Sequence, residues 1–186
     1  MSAKPATERR PVVITGGPGT GKTTLLAELA AMGYLTVAES ARAVIAERLS
    51  RGESPRPDPL AFAHEILCRD IEKYAREGQQ SGRWVFFDRG AVESIAMVHE
   101  ASPLSAPELA GLLDSYRFHN PVFVLPPWEA IYVTDAERDH SFAHACHVHA
   151  MLADWYGRCG YALHEVPRVP PRERARHVIR VLSERA

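Results

Sequence analysis

The sequence predicts an α/β protein, a parallel sheet with helices on both faces, and three observations carry that prediction. Short apolar runs alternate with longer stretches of helical periodicity along the chain. One such run, VVIT, passes into a glycine-rich turn and then directly into a helical pattern, GGPGTGKTTLLAELAA. Another, WVFFD, ends on an acidic residue, where strands of open α/β sheets meet their ligands. The 186 residues, 46% hydrophobic and 24% charged, suit one domain with a sizeable core.

The elements follow in order. Strands are expected at Val12–Thr15, Tyr34–Ala38, Trp84–Asp88, Val122–Leu125 and Tyr161–Val166, each a short apolar run rich in β-branched or aromatic residues. Helices are expected at Lys22–Ala31, Ala41–Leu49, Leu60–Glu77, about Ala91–Glu100, Ala106–Tyr116, Thr134–Gly157, and from about Arg172. SPRPDP at 54–59 separates the second helix from the third, because each proline removes a donor and biases the preceding residue away from helix. Ser105 with Glu108, and Thr134 with Glu137, have the spacing of a capping box. Residues 1–10 read as a flexible polar leader and 11–186 as a single domain without internal repeats or linkers.

Charge and composition narrow the function classes. With a net charge of -1 and no long basic block, neither a nucleic acid nor stable association with an anionic membrane is expected. Cys68, Cys146 and Cys159 are dispersed and form no CxxC pair, and the start of the chain has no apolar signal core, so reduced thiols and a cytoplasmic location are expected. His140, His144 and His147 recur at helical spacing, a pattern able to bind Zn2+ or Ni2+, but a His-rich helix surface accounts for it better.

The glycine-rich turn has a definite chemistry. Gly16, Gly17, Pro18, Gly19, Thr20, Gly21, Lys22 and Thr23 complete the pattern GxxxxGK[ST] between a strand and a helix, with Thr24 following. Glycines let backbone N–H groups converge on phosphate oxygens, and the helix N-terminus adds its positive dipole end. Lys22 is placed to reach the β- and γ-phosphates and Thr23 to ligate Mg2+. The expected ligands are therefore a nucleoside triphosphate, ATP by default since no guanine-reading NKxD occurs, with Mg2+.

Asp88, at the end of WVFFD, reads as the carboxylate on the Mg2+ side of that site. Mechanical ATPases commonly place a Glu next, to activate water; this chain has Arg89, a planar cation suited to phosphate oxygens. Glu93 stands one turn further on, either returning a carboxylate to the cleft or solvated on a helix. Glu39 follows the second expected strand, with Arg42 three residues on. It is a candidate general base or ribose ligand, with Arg42 a partner for it or for a phosphate; the plainer alternative is a charge complementing a helix dipole.

Together GGPGTGKTT, VAESAR, FFDRG, VFVLPPWEAIYVTDAERDHSF and GYALHEVPR resemble the NadR-type family, small P-loop proteins labelled AAA and related to nicotinamide-riboside kinase domains. The resemblance runs from Val12 to about Leu182 and extends to deoxynucleoside kinases. It implies a three-layer P-loop NTPase fold with strand order 2-3-1-4-5. It also implies Glu39 as base or acceptor-hydroxyl ligand, Asp88 near Mg2+, Arg89 on the transferring phosphate, and a lid at 132–140. Arg138 is the lid candidate, with an exposed ion pair as the alternative; the family often has Arg where Val133 stands. Trp128 and EVPRVPP are expected to shape loops beside the nucleotide base, with plain packing as the equal alternative.

Three functional classes follow. The first is a small-molecule kinase, monomeric or dimeric, acting on a nucleoside-like or other small acceptor bound by Glu39, Arg42 and Glu93. The second is a regulatory nucleotide-binding module, a slow ATPase or GTPase read by a protein or lipid partner. The weakest is a ring-forming mechanical ATPase, which the missing glutamate after Asp88 opposes.

Overall fold

Alternation of side chains along the strands decides which helices cover which face. The structure, a computed structural model, describes residues 10–55, 57–77, 84–132 and 141–185. Strands β1 (Arg10–Gly16), β2 (Leu35–Val37), β3 (Trp84–Asp88), β4 (Val122–Leu125) and β5 (Leu163–Glu165) form one parallel sheet in the order β2-β3-β1-β4-β5. Val12 and Ile14 of β1, Phe86 of β3, and Phe123 and Leu125 of β4 share one apolar cluster. It is closed by helices α1 (Lys22–Ala31) and α7 (Pro171–Ser183). Val13, Val85, Phe87 and Val122 belong to the other cluster. That face is covered by α3 (Pro59–Glu77), α4 (Ala91–Ala101), α5 (Ala106–Ser115) and α6 (Phe142–Arg158). Leu25, Leu29, Val178 and Leu182 are fully buried between α1, α7 and the sheet, each worth about 1.5–3 kcal/mol of transfer free energy.

The strand order is the one the family resemblance implied. The sheet edges are shorter than the apolar runs suggested: Tyr34–Ala38 contracts to Leu35–Val37, and Tyr161–Val166 to Leu163–Glu165. An edge strand has one neighbour, so only part of its run is locked into a ladder. Val166 N–H still donates to Val124 O (2.9 Å) just past the end of β5.

Helix ends follow local chemistry. Between α2 (Ser40–Ser50) and α3, the Asp58 carboxylate accepts from the N–H groups of Leu60 and Ala61 (3.0 and 3.1 Å). Pro59 then opens the helix, where a missing N–H costs nothing. Ser105 N–H donates to the Glu108 carboxylate (2.9 Å), so the expected capping box of α5 is present. The helix expected from Thr134 instead begins at Phe142, because Ser141 adopts an extended ψ of 159° and its hydroxyl accepts from His144 N–H (3.2 Å). The Thr134–Glu137 box, His140, Val133, Arg138 and all of the expected lid except Tyr132 lie outside the described residues.

Candidate functional site

Every strand of a parallel sheet points its C-terminal end the same way, and here the ends of β1, β2 and β3 meet at one cleft. At the end of β1, Gly16 has φ 146°, and a Cβ on it would lie 2.6 Å from Leu125 O, so glycine alone fits. Gly21 caps α1 at φ 86°. Thr20 Oγ1 donates to Gly17 O (2.9 Å) and tightens the loop. Lys22 is buried, its Nζ donating to Gly16 O (2.8 Å) and Gly17 O (2.9 Å). Burial, with Arg89 adding repulsion, lowers its pKa to about 8, against the pull of Asp88, Glu39 and Glu93. A cavity of about 550 Å³ opens over this loop, lined by Pro18 to Thr24, Glu39, Arg42, Arg89 and the α7 entry.

Arg89 ties the strand ends together. Its φ of 65° is left-handed, unusual for a side chain of this size, and its N–H donates to Ile14 O (3.0 Å). From there the guanidinium reaches Gly16 O (Nη2, 3.2 Å), Glu39 Oε1 (Nε, 3.2 Å) and, in a short ion pair, Glu93 Oε2. Burial opposes its charge, but Glu93 and Glu39 outweigh that and raise its pKa. Glu93 is buried rather than solvated: its Oε1 accepts from Thr15 Oγ1 (2.5 Å) and Tyr156 OH (3.0 Å). Burial, followed by the Glu93 charge, raises the Tyr156 pKa well above its ordinary value. Glu39 also pairs with the exposed Arg42 (3.2 Å).

Asp88 is held at the same strand end. Burial raises its pKa, against the attraction of Lys22, and its Oδ1 is buried without a hydrogen-bond partner among the described residues. An orphaned carboxylate oxygen is costly unless a cation completes it. With the Thr23 hydroxyl exposed at the loop end, the donor set is all oxygen, as Mg2+ requires. Among the described residues no cluster of three or more His, Cys, Asp or Glu is placed to hold a metal.

Two parts of the site were missed by the sequence reading. The first is Arg174 of α7, almost fully buried, whose Nη1 donates to Thr20 O (2.9 Å) and Nε to Val169 O (2.8 Å). Its guanidinium lies 4.8 Å from the Trp128 ring centroid, and the two residues form one wall of the cavity over the loop. The Arg in a helix signals nothing by itself; only docking of α7 on α1 brings it to the loop. The second is a cavity of about 780 Å³ between α3, α4 and α6, with Asp70, Met97, Met151 and Trp155 in its wall. Glu39, Arg89 and Glu93 line this cavity too, and Glu39 and Arg89 belong to both. No helix among the described residues is long and apolar enough to cross a membrane.

A strand-to-helix phosphate loop, an acidic β3 end and order 2-3-1-4-5 define a P-loop nucleotide-binding protein of the nucleoside-kinase-like type. The chain matches the family described as AAA domain over residues 11–174, and belongs to it. Among solved structures it is similar to a NadR protein in complex with NR, with TM-score 0.72 and 19% identity, covering 95% of this chain and 51% of that one. The resemblance drawn from the motifs is borne out. The chain thus spans about half the length of that NadR protein. It is also similar to thymidylate kinase from Ehrlichia chaffeensis (TM-score 0.62, 16% identity, covering 94% and 98%). Deoxyadenosine kinase from M. mycoides has the same TM-score, 0.62, at 13% identity, covering 94% and 99%. No curated protein sequence matches the chain.

Proposed function

We propose that the protein is a small-molecule kinase, transferring the γ-phosphate of Mg-ATP to a hydroxyl of a nucleoside-like or other small acceptor. The observation that carries this reading is the junction of the two cavities at Glu39 and Arg89. One cavity suits a triphosphate, the other a second small molecule, and transfer needs a base and a cation where they meet.

Positioning and electrostatics do most of the work in phosphoryl transfer. The loop N–H groups and Lys22 hold the β- and γ-phosphates, and the Arg174–Trp128 wall flanks the base. Thr23 and Asp88 would hold Mg2+, which when bound neutralises charge on the phosphate oxygens. Glu39 accepts the proton of the attacking hydroxyl. Arg89, kept cationic by Glu39 and Glu93, stabilises charge on the phosphoryl group in flight. Its bond to Gly16 O fixes it against the loop, so little reorganisation remains at the moment of transfer.

The test is ADP release from Mg-ATP across a library of nucleosides and small hydroxylated metabolites. One compound should stimulate release by wild type. Glu39→Gln should lower that stimulated rate about 100-fold, leaving affinity for a non-hydrolysable ATP analogue within about twofold. Slow release indifferent to every compound would defeat the kinase reading and favour a regulatory ATPase.

A further inference from the structure

Asp70 takes no part in the phosphate site, yet both oxygens of its carboxylate are held in the wall of the second cavity. It lies mid-helix on α3, and each oxygen is engaged: Oδ1 accepts from Ser40 Oγ (2.5 Å) and Oδ2 from Ser94 Oγ (2.8 Å). Both hydroxyls are buried, Ser40 directly after Glu39 at the start of α2 and Ser94 directly after Glu93 in α4. The two serines thus fix Asp70 relative to the two carboxylates that grip Arg89. A carboxylate oxygen has two lone-pair sites, so one on each oxygen remains for another donor. Burial raises the pKa of Asp70, with the two serine bonds and Lys73 opposing, and Lys73 Nζ is itself bonded to Ala38 O (2.7 Å).

The charge around Asp70 adds a second constraint. Carboxylates of Glu39, Asp70, Glu93, Glu100 and Asp154 line the cavity, against the guanidiniums of Arg89 and Arg158. Arg89 is already paired with Glu39 and Glu93, and Arg158 with Asp154 (2.8 Å). A cavity with this balance repels a dianionic phosphate and welcomes hydrogen-bond donors. The wall from Met97, Met151, Leu152 and Trp155 is apolar and suits a flat ring.

We propose that Asp70 is a specificity-determining residue of the acceptor cavity: it accepts an O–H or N–H of the acceptor and, with Glu39 and Glu93, turns away acceptors carrying a phosphate of their own. This rests on the kinase reading for the identity of the cavity. The alternative is that Asp70 only staples α3 to α2 and α4, and the two are separable by binding.

The experiment is calorimetric titration of the full chain saturated with Mg2+ and a non-hydrolysable ATP analogue. The probes are cytidine and thymidine, their 5′-monophosphates, and partners with donors removed: 2′,3′-dideoxycytidine, N4,N4-dimethylcytidine, 3′-deoxythymidine and N3-methylthymidine. Wild type should bind a parent nucleoside, with its monophosphate and at least one donor-deleted partner weaker by about tenfold or more. Asp70→Asn should reduce the donor discrimination to within about threefold while ATP-analogue affinity stays within about twofold. The proposal is overturned if no nucleoside binds, if monophosphates bind as well as parents, or if the discrimination survives in Asp70→Asn. Equal loss of both affinities would also overturn it, as a staple alone predicts. Should Asp70→Asn not fold, Asp70→Ser is read by the same ratios and the same criteria. Failure of the kinase reading is distinguishable, because it shows as bound compounds that leave ADP release unchanged.

Discussion

The phosphate loop and the second cavity share Glu39 and Arg89 but are built on different principles. The loop is a local object: one stretch of sequence, mostly backbone, shaped by glycines at φ values other residues resist. The cavity is a long-range object, assembled from side chains on α2, α3, α4 and α6. A backbone site tolerates variation in side chains it does not use, whereas a side-chain site depends on charges that hold one another in place. Substitutions should therefore separate into those that remove nucleotide chemistry at constant stability and those that unsettle both.

The largest effect is expected at Lys22. Lys22→Ala removes the cation proposed to hold the transferring phosphate and should lower turnover about 1,000-fold. Because the native lysine is desolvated, the melting temperature should hold or rise; a fall of several degrees would mean that the loop depends on its side chain. Next comes Glu93→Ala. It strips Arg89 of its shortest ion pair and orphans Thr15 Oγ1 and Tyr156 OH, for a cost of about 3 kcal/mol or more. In a chain of this size that lowers the melting temperature by about 10 °C, readable by calorimetry, and a shift under about 2 °C would show the network contributes little.

A smaller effect is set by pH. The Lys22 pKa is lowered to about 8 in the protein from 10.5. Phosphate binds the protonated form, so nucleotide affinity should be flat below about pH 7.5 and fall about tenfold by pH 9. The sign for stability is opposite. Between pH 8 and 10.5 the unfolded chain binds more protons at this lysine, so its contribution to stability rises with pH there. Affinity measured for Lys22→Met across the same range should lose the dependence. The smallest expected change is Arg174→Lys, which loses the planar contact with Trp128 while keeping a charge. ATP-analogue affinity should weaken about threefold to tenfold, with acceptor binding unchanged.

The difference between the two regions also governs how far the sequence could be read. GGPGTGKT announced the loop because its geometry is enforced within eight consecutive residues. WVFFD announced β3 and Asp88 for a similar reason, an apolar run with one acidic end. Glu93 stayed ambiguous between solvent and cleft, since helical spacing from Arg89 cannot say which face of α4 is covered. The partners Thr15 and Tyr156 decide that, and they lie 78 and 63 residues away. Asp70 gave no signal at all: within α3 it reads as one more charge, LCRDIEK, until Ser40 and Ser94 are brought against it.

By itself, then, the sequence determined the α/β alternation, the phosphate loop, the acidic end of β3 and the likeness to NadR-type proteins, because each is written in short contiguous patterns. Tertiary structure decided the rest. The burial of Lys22, the left-handed turn that sends Arg89 between Glu39 and Glu93, the seat of Arg174 under the loop and the Asp70 cavity exist only once the helices dock. Desolvation and charge pairing depend on which surfaces meet, and neighbours along the chain do not carry that information.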